Sequence, residues 1–292
     1  MTLNLGILLA LLCAFASNLA FFYKHRGACA APAVDIRHPL RSAKGLYSSP
    51  WFAFGMLVAT GAWGLHVAAL ALAPMSVVQV VLAGGVVLLA VMAERLFGFE
   101  VGRRQWVGLA LTACGLALLG LTLPQTHGAH SSYSLAAMTA FEAGLLGIGG
   151  LLILGPRVGA PAEHHGVMLG AASGVLFGVS DVSIKALTGL VHMHGALGLV
   201  SPWFMVAVAA SVGAFYASAR GLQDGEPIPT IAITGTAANI SGIAGGILVF
   251  GDPLPGNALG VILQATAFVM VIVASALTPA PVRAARVAPA SA

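Results

Sequence analysis

Charge in this chain is confined to the gaps between apolar runs, and that pattern limits what it can fold into. Runs close to the roughly 20 residues that cross a bilayer as helix lie at 3–23, 51–72, 75–94, 105–123, 132–154, 167–189, 200–219, 229–250 and 257–278. Only 8% of residues are Asp, Glu, Lys or Arg, where a soluble domain carries about a quarter. No stretch is left for a separate soluble domain. The pattern predicts an all-α polytopic membrane protein with about nine transmembrane helices. The second and third runs are separated only by Ala73-Pro74, so their boundary is the least defined.

The cations share one side of that layout. Lys24, Arg26, Arg37, Arg41 and Lys44 fall in the first gap, and Arg95, Arg103 and Arg104 in the third. Arg157 is in the fifth gap, Arg220 in the seventh, and Arg283 and Arg286 in the tail, 279–292. Only Lys185 lies inside a run. Basic loops stay cytoplasmic, so the amino terminus is expected outside and the carboxyl terminus in the cytoplasm of a bacterial inner membrane. The pI near 9.3 therefore reflects topology rather than nucleic-acid binding. Trp51, Trp106 and Trp203 open their runs, as interfacial aromatics do. The long basic first loop, about 24–50, reads as a solvated linker.

Residues 1–23 have a signal-peptide-like Ala14-Phe15-Ala16, but no Lys or Arg precedes the apolar stretch and three basic residues follow it. A retained first span is expected. Cys13, Cys29 and Cys114 lack metal or disulfide spacing.

The halves echo each other. Phe15-Ala16-Ser17-Asn18-Leu19-Ala20 resembles Gly178-Val179-Ser180-Asp181-Val182-Ser183, and Phe97-Gly98-Phe99-Glu100 resembles Phe250-Gly251-Asp252, with a glycine eight residues beyond each acid. Spans one to four (1–123) would pair with six to nine (167–278) around a linking helix at 132–154. An odd number of intervening spans makes the repeats inverted, the arrangement behind alternating access.

Ala69-Leu70-Ala71-Leu72-Ala73-Pro74-Met75-Ser76, Glu94-Arg95-Leu96-Phe97-Gly98, Arg104-Gln105-Trp106-Val107-Gly108, Ala219-Arg220-Gly221-Leu222 and Phe250-Gly251-Asp252 resemble the drug/metabolite transporter superfamily, in its EamA-like branch. That branch has ten helices. The nine spans and long basic first loop are more similar to the NIPA-type magnesium transporter branch. The resemblance implies a multispan carrier for small molecules with a central cavity between inverted halves.

The polar residues within the spans are the candidate site. Span six carries Gly170, Gly174 and Gly178 at four-residue intervals, a stripe that lets another helix approach closely. At 3.6 residues per turn it continues onto Asp181 and Lys185. Their i, i+4 order suits an intrahelical ion pair, which either locks a helix interface or shares one partner with substrate. Glu142 has no base in its own span, so it is either protonated or meets Lys185 or a substrate; it is the expected proton-coupling residue. Asn239, on a small face with Gly235, Gly242 and Gly246, joins Asp181, Lys185, Asn18, His66 and Gln79 as expected substrate-binding residues. Gln264 adds one polar group to span nine.

Several chemistries are excluded. Ala171-Ala172-Ser173-Gly174 lacks the first glycine of an intramembrane serine protease, and His192 and His194 are expected in an outside loop. No aspartate cluster could hold a diphosphate, and no Walker or Rossmann glycine pattern is present. His164-His165 beside Glu163 is a weak metal candidate. No enzyme activity and no cofactor are expected. The expected partners are a small-molecule solute and the lipid bilayer, not nucleic acid, with a homodimer left open. The function expected is secondary-active transport of a small polar or amphipathic metabolite by alternating access, with proton coupling left open. Alternatives are a divalent-cation (magnesium) transporter and a non-transporting membrane scaffold.

Overall fold

A computed structural model describes residues 2–35, 37–85, 92, 95, 103–122, 131–155, 159, 161, 164–225, 227–252 and 254–276. Its helices are α1 (Thr2–Ala30), α2 (Pro39–Tyr47), α3 (Pro50–Leu72), α4 (Met75–Ala83), α5 (Arg103–Thr122), α6 (Leu135–Leu154), α7 (His165–His194), α8 (Pro202–Asp224), α9 (Pro227–Leu248) and α10 (Ala258–Ala276). A 3-10 turn, Gly195–Leu199, follows α7, and no strand occurs among the described residues. Helix is the expected outcome, because only a helix or a closed barrel satisfies backbone polar groups in lipid.

Every apolar run read from the sequence carries a helix. Five helical stretches are long and apolar enough to cross a membrane: Leu3–Ala30, Pro50–Leu72, Leu135–Leu154, His165–Leu199 and Pro202–Asp224. Shorter apolar helices occupy Ile233–Leu248 and Ala258–Met270. The third run is described as helix only over its first turns, and the Phe97–Glu100 half of the second repeat motif lies outside the described residues, as do Glu163 and the tail.

Local chemistry sets the boundaries. Proline opens α3 and α8 at a position where its missing N–H costs nothing, and Ser201 caps α8 by accepting the Trp203 amide at 3.4 Å. Pro74 disfavours helix at Ala73, which is extended (φ −137°, ψ 158°) and ends α3. Gly195 ends α7 in the left-handed region at φ +61°.

The first gap is shorter and better anchored than a solvated linker. α1 continues to Ala30, and the chain after it is strapped to α8. Gln223 Nε2 donates to Ala28 O and Pro32 O, the Val34 amide donates to Gln223 Oε1, and Arg220 donates to Val34 O. Trp203 also departs from expectation. It is buried, with its indole N–H donating to the Tyr133 hydroxyl at 2.8 Å, whereas Trp51 and Trp106 remain exposed. His192 and His194 lie in the last turn of α7 rather than in a loop.

α7 is the central element. Its apolar stretch is 72% buried, against 17–39% for the other four long stretches. α8, α9, α6 and α3 pack around it, α1 pairs with α3, and α10 with α5. Gly170, Gly174 and Gly178 lie against α9: an added Cβ would press on Thr230 O and Ile233 from Gly170, on Thr234 O and Ala237 from Gly174, and on Ser241 from Gly178. Gly174→Ala is therefore expected to lower the melting temperature in detergent by several degrees, as overpacking costs about 1–3 kcal/mol. Gly150→Ala on α6, with nothing within 4 Å of its Cβ, is the control; equal melting of the two variants would contradict this packing.

Candidate functional site: a polar cavity beside a broken helix corner

A cavity of about 220 Å³ lies between α1, α3, α4, α7 and α9. Asn18, His66, Gln79, Asp181 and Asn239 all border it, so five of the six expected substrate-binding residues converge. Asp181 is their hub. His66 Nε2 lies 3.0 Å from Asp181 Oδ1, outside hydrogen-bond geometry, so the contact is ionic when the imidazole carries its proton. Gln79 Nε2 donates to Asp181 Oδ2 at 3.0 Å.

That last bond fixes the orientation of the Gln79 carboxamide. Its nitrogen must face the carboxylate, so Oε1 points elsewhere, buried and without a hydrogen-bond partner. Asn18 is fixed in the same way: Nδ2 donates to Ala14 O and Gly85 O, both at 2.9 Å, leaving Oδ1 as acceptor. Gly242 on α9 makes room for Gln79, since a Cβ there would sit 2.5 Å from Gln79 Cγ. The small face of α9 thus seats the first turns of α4.

Lys185 does not reach this cavity, and it does not pair with Asp181. It is fully buried and donates to Leu70 O at 2.8 Å and Ala73 O at 3.1 Å. These carbonyls end α3, where the intrahelical bonding pattern runs out and the helix dipole favours a cation. The other side of the break is held by an acid. Gly251, at φ +62°, turns the chain after α9, and Asp252 Oδ2 accepts the Ser76 amide in the first turn of α4 at 2.8 Å. Gly246 leaves the space this needs: a Cβ there would lie 2.5 Å from Asp252 Oδ2 and 3.0 Å from Ser76 N. The expected Asp181–Lys185 pair is lost because two unsatisfied carbonyls at a buried helix end compete for the same ammonium. The clamp also bears on the site, since His66 and Gln79 flank the break it holds.

Glu142 lies away from the cavity, on the far side of α7. Ser183 Oγ donates to Glu142 Oε1 at 2.9 Å, and Oε2 is buried without a hydrogen-bond partner. It contacts neither Lys185 nor the cavity-lining residues by hydrogen bond. Gln264 is buried on α10, outside the cavity. His165 pairs with Asp224 at 3.1 Å, and no group of three or more His, Cys, Asp or Glu capable of holding a metal occurs among the described residues.

Sequence reading missed Cys13, Ser17 and Lys24, which border the cavity from α1. Their spacing held the signal: 13, 17, 21 and 24 fall on one face of a helix. Asp252 was read only as part of short repeat and resemblance motifs, although it is 3% exposed and pinned to a helix start.

A bundle of apolar helices around a polar cavity defines a multi-pass membrane protein. Comparison with known proteins finds a similarity to one transporter. The chain is similar to the probable magnesium transporter NIPA9 of Arabidopsis thaliana, 23% identical over 277 residues, covering 91% of this chain and 79% of that protein. No family model and no solved structure matches it.

Proposed function

We propose that the protein is a secondary-active carrier that moves a small cation by alternating access of two inverted four-helix halves, 1–123 and 167–278, about a linking helix at 132–154. The carrying observation is the donor–acceptor balance of the cavity: among its described lining residues, one carboxylate, Asp181, beside two carboxamides whose oxygens are fixed as acceptors. Such a wall suits a solute that is positive and donates. Mg²⁺ keeps several waters and binds through one or two carboxylates. Its waters would donate to Asn18, Gln79 and Asn239 while Asp181 supplies the charge. The name of the Arabidopsis relative supports the divalent ion. Asn18 and Asp181 occupy matching repeat positions and border one cavity, which supports the inverted halves. The placement of basic residues supports an outside amino terminus in a plasma membrane.

A zwitterionic metabolite is the second reading. Lys24 also borders the cavity and would take the anionic end that Lys185, held at the helix break, cannot reach. Uptake into proteoliposomes, with Mg²⁺ and with metabolites, each with and without a pH gradient, separates the two. Flux of Mg²⁺ alone selects the cation, flux of a metabolite alone selects the second reading, and no flux of any solute leaves a scaffold.

Proton coupling through Glu142 would act by way of Ser183 and α7 rather than by touching the solute. Glu142→Gln keeps a partner for Ser183 and removes the titrating group. Transport is expected to persist with a flattened pH dependence; an unchanged profile removes Glu142 from the coupling.

A further inference from the structure

A second cavity, of about 530 Å³, runs between α3 and α8 over a floor made by α7. Along α3 it extends from Phe52 to Val67, about 22 Å at the helical rise and longer than one leaflet of a roughly 30 Å hydrocarbon core. Its lining is almost wholly apolar, and four of the five hydroxyls among its described lining residues, all but Ser218, are spent within the protein. Ser180 bonds Ser211 at 2.8 Å, Thr60 bonds Met56 O, and Thr188 bonds Lys185 O. Among the described residues, Lys24 is the one charged side chain that lines it.

Lys24 sits where a headgroup would be. Tyr23 stacks on Trp51 at 5.9 Å, and the Arg26 guanidinium lies 4.0 Å over the same Trp51 ring, the combination that marks a membrane interface. The Lys24 ammonium lies 3.9 Å over Phe21, and its stem crosses Gly55, where a Cβ would sit 2.9 Å from Lys24 Cγ. Among the described residues no carboxylate pairs with Lys24 or Arg26. An apolar channel of acyl-chain length is thus lined at one end by a cation, Lys24, with a second, Arg26, on the nearby Trp51 ring, and no carboxylate among the described residues pairs with either.

We infer that this groove binds one anionic glycerophospholipid, its acyl chain between α3 and α8 and its phosphate on Lys24. That no acid among the described residues pairs with Lys24 favours an anionic headgroup over a zwitterionic one. Lys24, Ala59, Trp63 and Phe177 border both the groove and the polar cavity, so the phosphate lies against the cavity wall. There it offsets the ammonium that would otherwise repel a cation, a consequence that rests on the cation reading above. The lipid site itself does not.

Native mass spectrometry of the purified full chain, titrated with phosphatidylglycerol or phosphatidylcholine, tests this directly. The parent is expected to retain phosphatidylglycerol about fivefold better, the scale of one basic residue at a membrane surface. Lys24→Met is expected to erase the preference, and Met56→Trp, which fills the groove and leaves the ammonium, to lose both lipids. Equal retention by the parent overturns the proposal. So does an unchanged preference in Lys24→Met, or tight phosphatidylglycerol binding in Met56→Trp. Binding rather than uptake is read, so failure here leaves the solute reading standing, and failed uptake leaves the lipid site standing.

Discussion

Asp181→Asn is expected to cut uptake in proteoliposomes by roughly 10- to 150-fold at low substrate, since a hydrogen bond to a charged group contributes about 1.5–3 kcal/mol. The substitution is nearly isosteric, and the amide oxygen can still accept from Gln79, so the cavity keeps its shape and loses its charge. Half-saturation should rise more than maximal rate falls, because a ground-state binding contact is removed. Asn18→Leu and Gln79→Leu remove neutral acceptors and should each cost less. Wild-type flux in Asp181→Asn, at equal expression and melting temperature, would exclude the cavity as the transport site.

Lys185→Met should act on stability first. It leaves the carbonyls of Leu70 and Ala73, now bonded by the ammonium at 2.8 and 3.1 Å, without a donor in a dry interior. At about 1–3 kcal/mol for each of the two buried unsatisfied groups, the loss is about 2–6 kcal/mol, or roughly 5–20 °C in melting temperature. Asp252→Asn should do less, because a carboxamide oxygen still accepts the Ser76 amide. A Lys185→Met protein that melts like the parent would mean that water reaches those carbonyls. If melting is restored by lipid or ligand and transport remains weak, the lysine also positions His66 and Gln79 for Asp181.

These two residues show what the sequence could and could not carry. Helix positions were legible because apolar runs of spanning length have few other solutions in a bilayer. The individual polar candidates were legible for the same reason: a polar side chain in such a run needs a partner. What was not legible was which partner. Asp181 and Lys185 are one turn apart, and local spacing favours their pairing, yet each is taken by a group more than a hundred residues distant in sequence: Gln79 for the acid, and the end of α3 for the base. The clue was Ala73-Pro74. A proline in an apolar stretch exposes carbonyls that something must bond. Lys24 was hidden by a sound rule, since a cation beside a span usually sets topology; its second exposure, toward two cavities, is a property of packing alone.

The bracketed corner also bears on how the chain is made. Leu70, Ala73 and Ser76 enter the bilayer early in synthesis, but the ammonium that bonds the first two follows 115 and 112 residues later, and the carboxylate for the third 176 residues later. Until both arrive, the first half holds a helix corner with bare polar groups in lipid. That corner is completed only when the last third of the chain, which carries Asp252, has been inserted.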